Sequence, residues 1–120
     1  MAEVPILELE GRLVVSIQED LTDREAEDLQ HRLLERLTRV RSSGVVIDVS
    51  GMDVVDSYFC RILRDTAAMS RLMGAHTAVV GMNAAVAVTL TELGLEMVGV
   101  HTDLSLERGL QWLRSVTSDA

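Results

Sequence analysis

Short apolar runs alternate with segments of helical periodicity along this chain, and this alternation constrains its fold more than any other feature. Gly44–Val49 is a continuous apolar run that ends at an aspartate and a valine, typical of a strand buried on both faces. Between Leu21 and Arg41, apolar residues recur at intervals of three and four, which predicts an amphipathic helix. Phe59–Met73 repeats the helical pattern after the strand. Strands that alternate with helices predict βαβ crossovers and an α/β fold with a mainly parallel sheet.

The remaining segments complete the order β-β-α-β-α-β-α-β-α. Ile6–Leu9 and Leu13–Ile17 flank a turn that contains glycine, so we expect a hairpin that adds one antiparallel edge strand. Thr22 and Glu25 form a capping-box pattern at the start of the first helix. The later predicted elements are a strand at Thr77–Gly81, a helix at Asn83–Leu93, a strand at Met97–Val100 and a last helix that begins at Asp103 or Ser105. The sequence therefore predicts about five strands and four helices in one domain of 120 residues.

Composition argues against several classes of function. The formal net charge is −8, and such an acidic chain is a poor ligand for nucleic acid or an anionic membrane. All 11 basic residues are arginine, so P-loop and Schiff-base lysine chemistry are absent. The single cysteine, Cys60, permits no internal disulfide and fits a reducing compartment. With no secretory-type start and no apolar run of bilayer length, we expect a cytoplasmic protein.

Catalytic and metal-binding motifs are lacking. No glycine-rich phosphate loop or nucleophile elbow occurs, and His31, His76 and His101 do not have the spacing of metal ligands. Cys60 falls in the first turn of a predicted helix, where a thiolate is favoured. Because no base for it can be identified, we interpret Cys60 as a half-buried packing residue. We expect no catalytic residue, no metal and no cofactor.

Three aspartates, Asp48, Asp53 and Asp56, follow the end of one predicted strand. In open α/β sheets this edge carries function, so they suggest either a Mg²⁺ site or a phosphoacceptor aspartate. A phosphoacceptor aspartate of the receiver type also needs an acidic pair near the first strand and a late lysine, and the chain has neither. Solvated loop carboxylates and helix caps are therefore the favoured interpretation.

The step Asp56-Ser57 joins the buried strand to the following helix. Ser57 should lie at the helix N-terminus, where unpaired backbone N–H groups and the positive end of the dipole favour an anion. A phosphoserine would supply that anion. The alternative is that Asp56 and Ser57 are simply N-caps, whose removal costs about 0.5–2 kcal/mol. These residues alone favour the capping role.

The element order, the chain length and the Asp56-Ser57 step together resemble the STAS domain of anti-sigma-factor antagonists. Gly44–Val49 followed by Val54–Ser57 carries the strand-loop-helix pattern of that family. Further segments resemble the single-domain STAS scaffold proteins of the bacterial stressosome: Pro5–Leu7, Leu13–Gln18, Met69–Ala75 and Ala84–Gly94. The resemblance implies one STAS domain over residues 1–120, no enzymatic activity, and Ser57 as the phosphoacceptor of a partner kinase.

The same resemblance implies a set of partners and a switch. The partners would be a paralogous STAS sensor protein in a large homo- and hetero-oligomeric complex, a serine/threonine switch kinase of the anti-sigma type, and a PP2C-type phosphatase. Phosphorylation would add about −1.5 to −2 charges beside Asp53 and Asp56 and release the kinase by like-charge repulsion. Tyr58 departs from the family pattern; it would contact the kinase or a neighbouring subunit, or cover the helix start.

Two other functions stay open: a free antagonist that binds an anti-sigma kinase one-to-one, and a small-molecule-binding or nucleotide-binding α/β protein. An assembly surface is predicted on the helix Asn83–Leu93, around Ala85 and Val88. That helix has few charges, and its alanines allow a partner backbone to approach closely. The alternative is that its small residues serve tight helix–sheet packing.

Overall fold

A five-stranded sheet organises the part of the chain that the computed structural model describes, residues 3–92 and 100–117. Its strands lie in sequence order: β1 Ile6–Leu9, β2 Arg12–Ser16, β3 Gly44–Asp48, β4 His76–Val80 and β5 His101–Asp103. β1 pairs with β2 antiparallel, and every other neighbouring pair is parallel. The prediction of a mainly parallel sheet with one antiparallel edge strand is confirmed.

Helices cover both faces of this sheet. Within the described residues they are α1 Asp23–Val40, α2 Ser57–Leu72, α3 Ala84–Glu92 and α4 Leu106–Val116. Each βαβ step moves one strand in the same direction, so right-handed crossovers place α1, α2 and α3 on one face. α4 follows β5 and packs on the other face against β3 and β4. None of the helices described is both long enough and apolar enough to cross a bilayer.

The central strand β3 is buried on both faces, as predicted. Val45 and Ile47 belong to the core that the sheet forms with α1, α2 and α3. Val46 points to the opposite face, where it packs in a smaller core with Leu110 and Leu113 of α4. This double burial explains why the segment reads as a continuous apolar run rather than an alternating one.

Local sequence signals account for most element boundaries. The hairpin turn uses Glu10 at φ 55° and Gly11 at φ 77°, the two positive values of a type I′ turn. The capping box is confirmed: Thr22 Oγ1 accepts from the Glu25 amide at 3.2 Å, and Glu25 Oε1 accepts from the Thr22 amide at 2.9 Å. α1 ends at Val40 because Arg41 takes the left-handed conformation at φ 52° and donates its amide to the Leu37 carbonyl oxygen. That left-handed cap is an arginine, which the sequence does not signal.

The element boundaries in the C-terminal third match the prediction only in part. Of the predicted strand Met97–Val100, residues 97–99 lie outside the described part, as do residues 93 and 94 at the predicted end of the third helix. Val100 is not in a strand, and β5 begins one residue later. Of the two predicted starts for the last helix, Ser105 is correct, because its Oγ accepts from the Arg108 amide at 3.2 Å as the N-cap.

Candidate functional site

The loops that follow β2, β3 and β4 meet at one edge of the sheet. Ser16 is paired with Asp48 and Asp48 with Val80, so the carboxyl ends of the three strands lie side by side. Open α/β sheets place their functional sites at this edge. At its centre lies the segment that ends the β3–α2 loop and begins α2, residues 53–58, which we call the α2 corner. It contains four of the residues singled out by the sequence: Asp53, Asp56, Ser57 and Tyr58.

The β3–α2 loop is anchored by apolar side chains and exposes the residues between them. Val49, Met52 and Val55 are buried in the core shared with α1 and α2. Asp53 and Val54 lie between two of these anchors and are exposed, with 66% of the Val54 surface open to solvent. The loop therefore holds a short acidic and apolar tip outside the core, just before Ser57.

The β2–α1 loop supports that tip from the neighbouring strand. Asp20 Oδ1 accepts from the amide of Asp53 at 2.8 Å and from the amide of Val54 at 3.2 Å. Gly51 permits the close approach of the two loops, since a Cβ there would lie 2.5 Å from the carbonyl oxygen of Ile17. No local pattern in the sequence points to Asp20, because it lies 33 positions from Asp53 and only the sheet register brings the two together.

Ser57 is the first residue of α2 and is half-buried. Asp56 precedes it as the N-cap, with Oδ1 accepting from the Phe59 amide at 2.8 Å. The expectation that Ser57 could itself act as the cap is wrong, because its backbone is already helical and Asp56 fills the capping position. Within residues 3–92 and 100–117, the Ser57 hydroxyl takes part in no hydrogen bond, so no described contact competes for it.

Tyr58 is tied to the neighbouring helix. Its hydroxyl donates a hydrogen bond to the Glu27 carboxylate of α1. That hydrogen bond is the main cause that raises the pKa of Tyr58 to about 12, with smaller contributions from desolvation and from the negative charges of Glu27 and Asp23. The sequence leaves open whether Tyr58 contacts a partner or covers the helix start. In the structure, the hydrogen bond to Glu27 links the start of α2 to α1.

Carboxylates surround the α2 corner. Five of them come from the two adjoining loops or from the starts of the helices that follow: Asp20, Asp23, Glu27, Asp53 and Asp56. None of these five carboxylates forms an ion pair with an arginine within the described residues. A further negative group at this corner would therefore make an already negative local potential more negative.

The chemical alternatives suggested by the sequence find no support in the geometry. No group of three or more His, Cys, Asp or Glu residues among those described is arranged to hold a metal ion. Asp48 accepts a hydrogen bond from the Ser50 amide at 2.9 Å, and Asp56 caps α2. Cys60 is buried, with 2% of its surface exposed, and not half-buried as expected. Burial, followed by the Asp56 charge, raises the pKa of its thiol and so opposes a thiolate.

The histidines lie on separate elements. His31 is exposed on α1, whereas His76 and His101 begin β4 and β5 and both contact Trp112 of α4. The His101 ring stacks on Trp112 at 4.2 Å between centroids, and the His76 ring meets it edge-on at 6.0 Å. Burial, with Arg71 nearby, lowers the pKa of His76. The sequence did not indicate this packing role for Trp112.

The predicted assembly residues lie on α3. Val86 and Leu90 face the core, while Ala85 and Val88 are exposed, Val88 to 55%. The small residues of this helix are therefore not all used in helix–sheet packing, and the exposed side carries an apolar side chain.

The order and pairing of the strands and helices define a class of protein. A family model described as the STAS domain matches residues 3–108, and the chain belongs to this family. Within it, the chain is close to the RsbS and RsbR proteins of the bacterial stressosome.

Solved structures and curated relatives both show this similarity. A structure of Moorella thermoacetica RsbS that carries a serine-to-glutamate substitution is 36% identical, covers 98% of this chain and 100% of its own, and superposes with a TM-score of 0.86. A chain from the molecular architecture of the stressosome, described as a signal integration and transduction hub, is 34% identical, with coverages of 96% and 100% and a TM-score of 0.79.

The curated relatives are longer proteins. The RsbT co-antagonist protein RsbRA of Bacillus subtilis (strain 168) is 29% identical over 92 residues, which is 77% of this chain and 34% of RsbRA. The RsbT co-antagonist protein RsbRD of the same organism is 24% identical over 107 residues, which is 88% of this chain and 38% of RsbRD. This chain thus matches little more than a third of either relative.

Proposed function

We propose that this chain is a non-enzymatic scaffold and antagonist in a cytoplasmic stressosome, and that its residues 1–120 form a single STAS domain. It holds a serine/threonine switch kinase of the anti-sigma type and releases it when Ser57 is phosphorylated. The observation that carries the proposal is the placement of Ser57. It is the first residue of α2, it follows a separate capping residue, and its hydroxyl makes no hydrogen bond within the described residues.

Similarity supports the scaffold part of the proposal. The two solved structures at 36% and 34% identity match nearly the whole chain, and one of them belongs to a stressosome. The partner in the assembly would be a paralogous STAS sensor protein of the RsbR kind. Because RsbRA and RsbRD are named RsbT co-antagonists, we assign this chain a counterpart of RsbT as the kinase it holds.

The charges of the α2 corner support the release step. Before phosphorylation, the free N–H groups at the start of α2 are the positive feature of an otherwise acidic surface. A phosphate on Ser57 adds about −1.5 to −2 charges at neutral pH. The phosphate would neutralise the positive end of the α2 dipole. The kinase would then meet only the negative charges of the phosphate, Asp53 and Asp56 at this corner. A PP2C-type phosphatase would then restore the holding state.

The proposal is tested by incubation of this chain with an RsbT-type switch kinase and ATP. We expect phosphate on Ser57, capture of the kinase before ATP is added, and its release afterwards. Gel filtration with the sensor paralogue should give a mass far above the 13.2 kDa of one chain. Phosphate only on another residue would refute the site, and a one-to-one kinase complex without a larger assembly would refute the scaffold.

A further inference from the structure

We propose that Asp20 is a positioning residue for the phosphorylation of Ser57. It fixes the loop tip Asp53–Val54 in the conformation that the kinase recognises, with the Val54 side chain as the apolar contact. This inference rests on the proposed function, because it takes Ser57 as the phosphoacceptor, and it assigns a role to a residue outside the β3–α2 loop.

The geometry of Asp20 is that of a clamp on two consecutive peptide groups. One carboxylate oxygen, Oδ1, accepts from both the Asp53 amide and the Val54 amide, at 2.8 and 3.2 Å. Hydrogen bonds to an ionised acceptor are stronger than neutral ones. Met52 and Val55 are buried on either side of the tip and fix its ends. Asp20 is then the group that fixes the orientation of the peptide planes between those ends.

The consequence of the clamp is a defined position for Val54. A large apolar side chain with 66% of its surface exposed lies three residues before Ser57, among carboxylates. Such a residue contributes to binding when it enters an apolar pocket of the partner. A tip that is already ordered avoids the entropy cost of ordering on binding. Asp20 should therefore affect the affinity of the kinase for its substrate more than the chemical step.

Asp20 is suited to mutation because the hydrogen bonds it accepts lie at the surface. The core residues of the loop and the Asp56 cap of α2 do not depend on it. The variant Asp20→Ala removes the acceptor, whereas Asp20→Asn keeps a carbonyl oxygen at the same place without the charge. Glu19→Ala is the matched control, since Glu19 is an exposed neighbour that makes no hydrogen bond to the tip in the described residues.

The experiment measures initial rates of Ser57 phosphorylation by the kinase and ATP, over a range of concentrations of each variant. We expect Asp20→Ala to raise KM about tenfold with kcat nearly unchanged, because it removes both exposed hydrogen bonds to a charged acceptor. Asp20→Asn should restore most of the affinity, and Glu19→Ala should stay within about twofold of wild type. Amide hydrogen exchange by NMR should be faster at Asp53 and Val54 in Asp20→Ala alone.

Each contrary result has a distinct meaning. An unchanged KM for Asp20→Ala, while wild type is phosphorylated on Ser57, overturns the role of Asp20 and leaves the proposed function intact. An equal rise of KM in Glu19→Ala would assign the effect to charge and overturn the positioning role of Asp20. A fall in kcat without a change in KM for Asp20→Ala would overturn that role as well. Equal amide exchange in wild type and Asp20→Ala overturns the clamp itself. A wild-type protein without phosphate on Ser57 overturns the proposed function and this inference with it.

Discussion

Asp56 Oδ1 accepts a hydrogen bond from the Phe59 amide at 2.8 Å, so the residue that caps α2 is the one before Ser57. In the proposed function, capping and phosphate acceptance therefore belong to two adjacent residues. A group added to the Ser57 hydroxyl does not remove the side chain that stabilises the helix start. The helix can therefore persist through the proposed modification, and the two roles can be separated by mutation.

The first prediction uses that separation. Ser57→Ala should abolish phosphorylation and change the free energy of unfolding by less than about 0.5 kcal/mol, because no cap is lost. Asp56→Ala should cost about 0.5–2 kcal/mol, because it removes the acceptor for the Phe59 amide. Denaturant unfolding followed by circular dichroism measures both values. A larger loss of stability in Ser57→Ala than in Asp56→Ala would contradict the assignment of the cap.

The second prediction concerns the charge at the α2 corner. Ser57→Asp should weaken kinase capture, although one carboxylate imitates the charge and the acceptor number of phosphate incompletely. The matched control is Ser43→Asp, the same change at an exposed serine beside the opposite end of β3. Affinities from calorimetry should fall for the first variant and not for the second. Release by charge is wrong if Ser57→Asp and the phosphorylated protein both hold the kinase as tightly as wild type.

The third prediction follows from the bond between Tyr58 and Glu27. The folded-state pKa of Tyr58 is about 12, above the ordinary value of 10.0. Folding therefore favours the protonated phenol. Its stabilising contribution is complete below pH 10.0 and is lost as the pH rises through about 12. Tyr58 is the single tyrosine, so ultraviolet absorbance at alkaline pH reports on it alone.

At a pH equal to the ordinary tyrosine pKa, the folded protein should show much less than half of the phenolate signal. Glu27→Ala removes the acceptor of the Tyr58 hydrogen bond together with its charge and should shift the titration back toward 10.0. If wild type and Glu27→Ala titrate together, the hydrogen bond does not exist in solution.

Much of the fold follows from patterns within short windows of sequence. The apolar run of β3, the periodicity of α1 and the Thr22–Glu25 capping box each predict an element that the structure contains. Where a predicted boundary is imprecise, the local signal is missing. Arg41 ends α1 in a left-handed conformation at a position where no glycine indicates it.

At the α2 corner, the residues that are neighbours in sequence could be predicted, and those that are distant in sequence could not. The sequence singles out residues 53–58 because they lie together at one strand end and one helix start. Asp20 and Glu27 could not be found that way, since each contacts the corner across more than 30 positions of chain. The Asp20 contact depends on the parallel register of β2 and β3, and the Glu27 contact on the packing of α1 against α2.

The last prediction concerns assembly through α3. Val88 is 55% exposed and Ala85 is exposed beside it, on a helix that also packs Val86 and Leu90 into the core. Val88→Arg, or Ala85→Arg, places a charge and a long side chain where a partner backbone would approach, so either should break the large complex with the sensor paralogue. Ser57 should remain a kinase substrate in the folded variant, because α2 is unchanged.

The matched control for this prediction is Val116→Arg, an exposed valine on α4 at the opposite face of the sheet. Light scattering of the co-expressed proteins measures the assembly, and circular dichroism verifies the fold. Val88→Arg should lower the mass of the complex while Val116→Arg leaves it unchanged. If a folded Val88→Arg variant assembles fully, α3 is not part of the interface. If Val116→Arg alone disrupts assembly, the contact lies on the α4 face and not on α3.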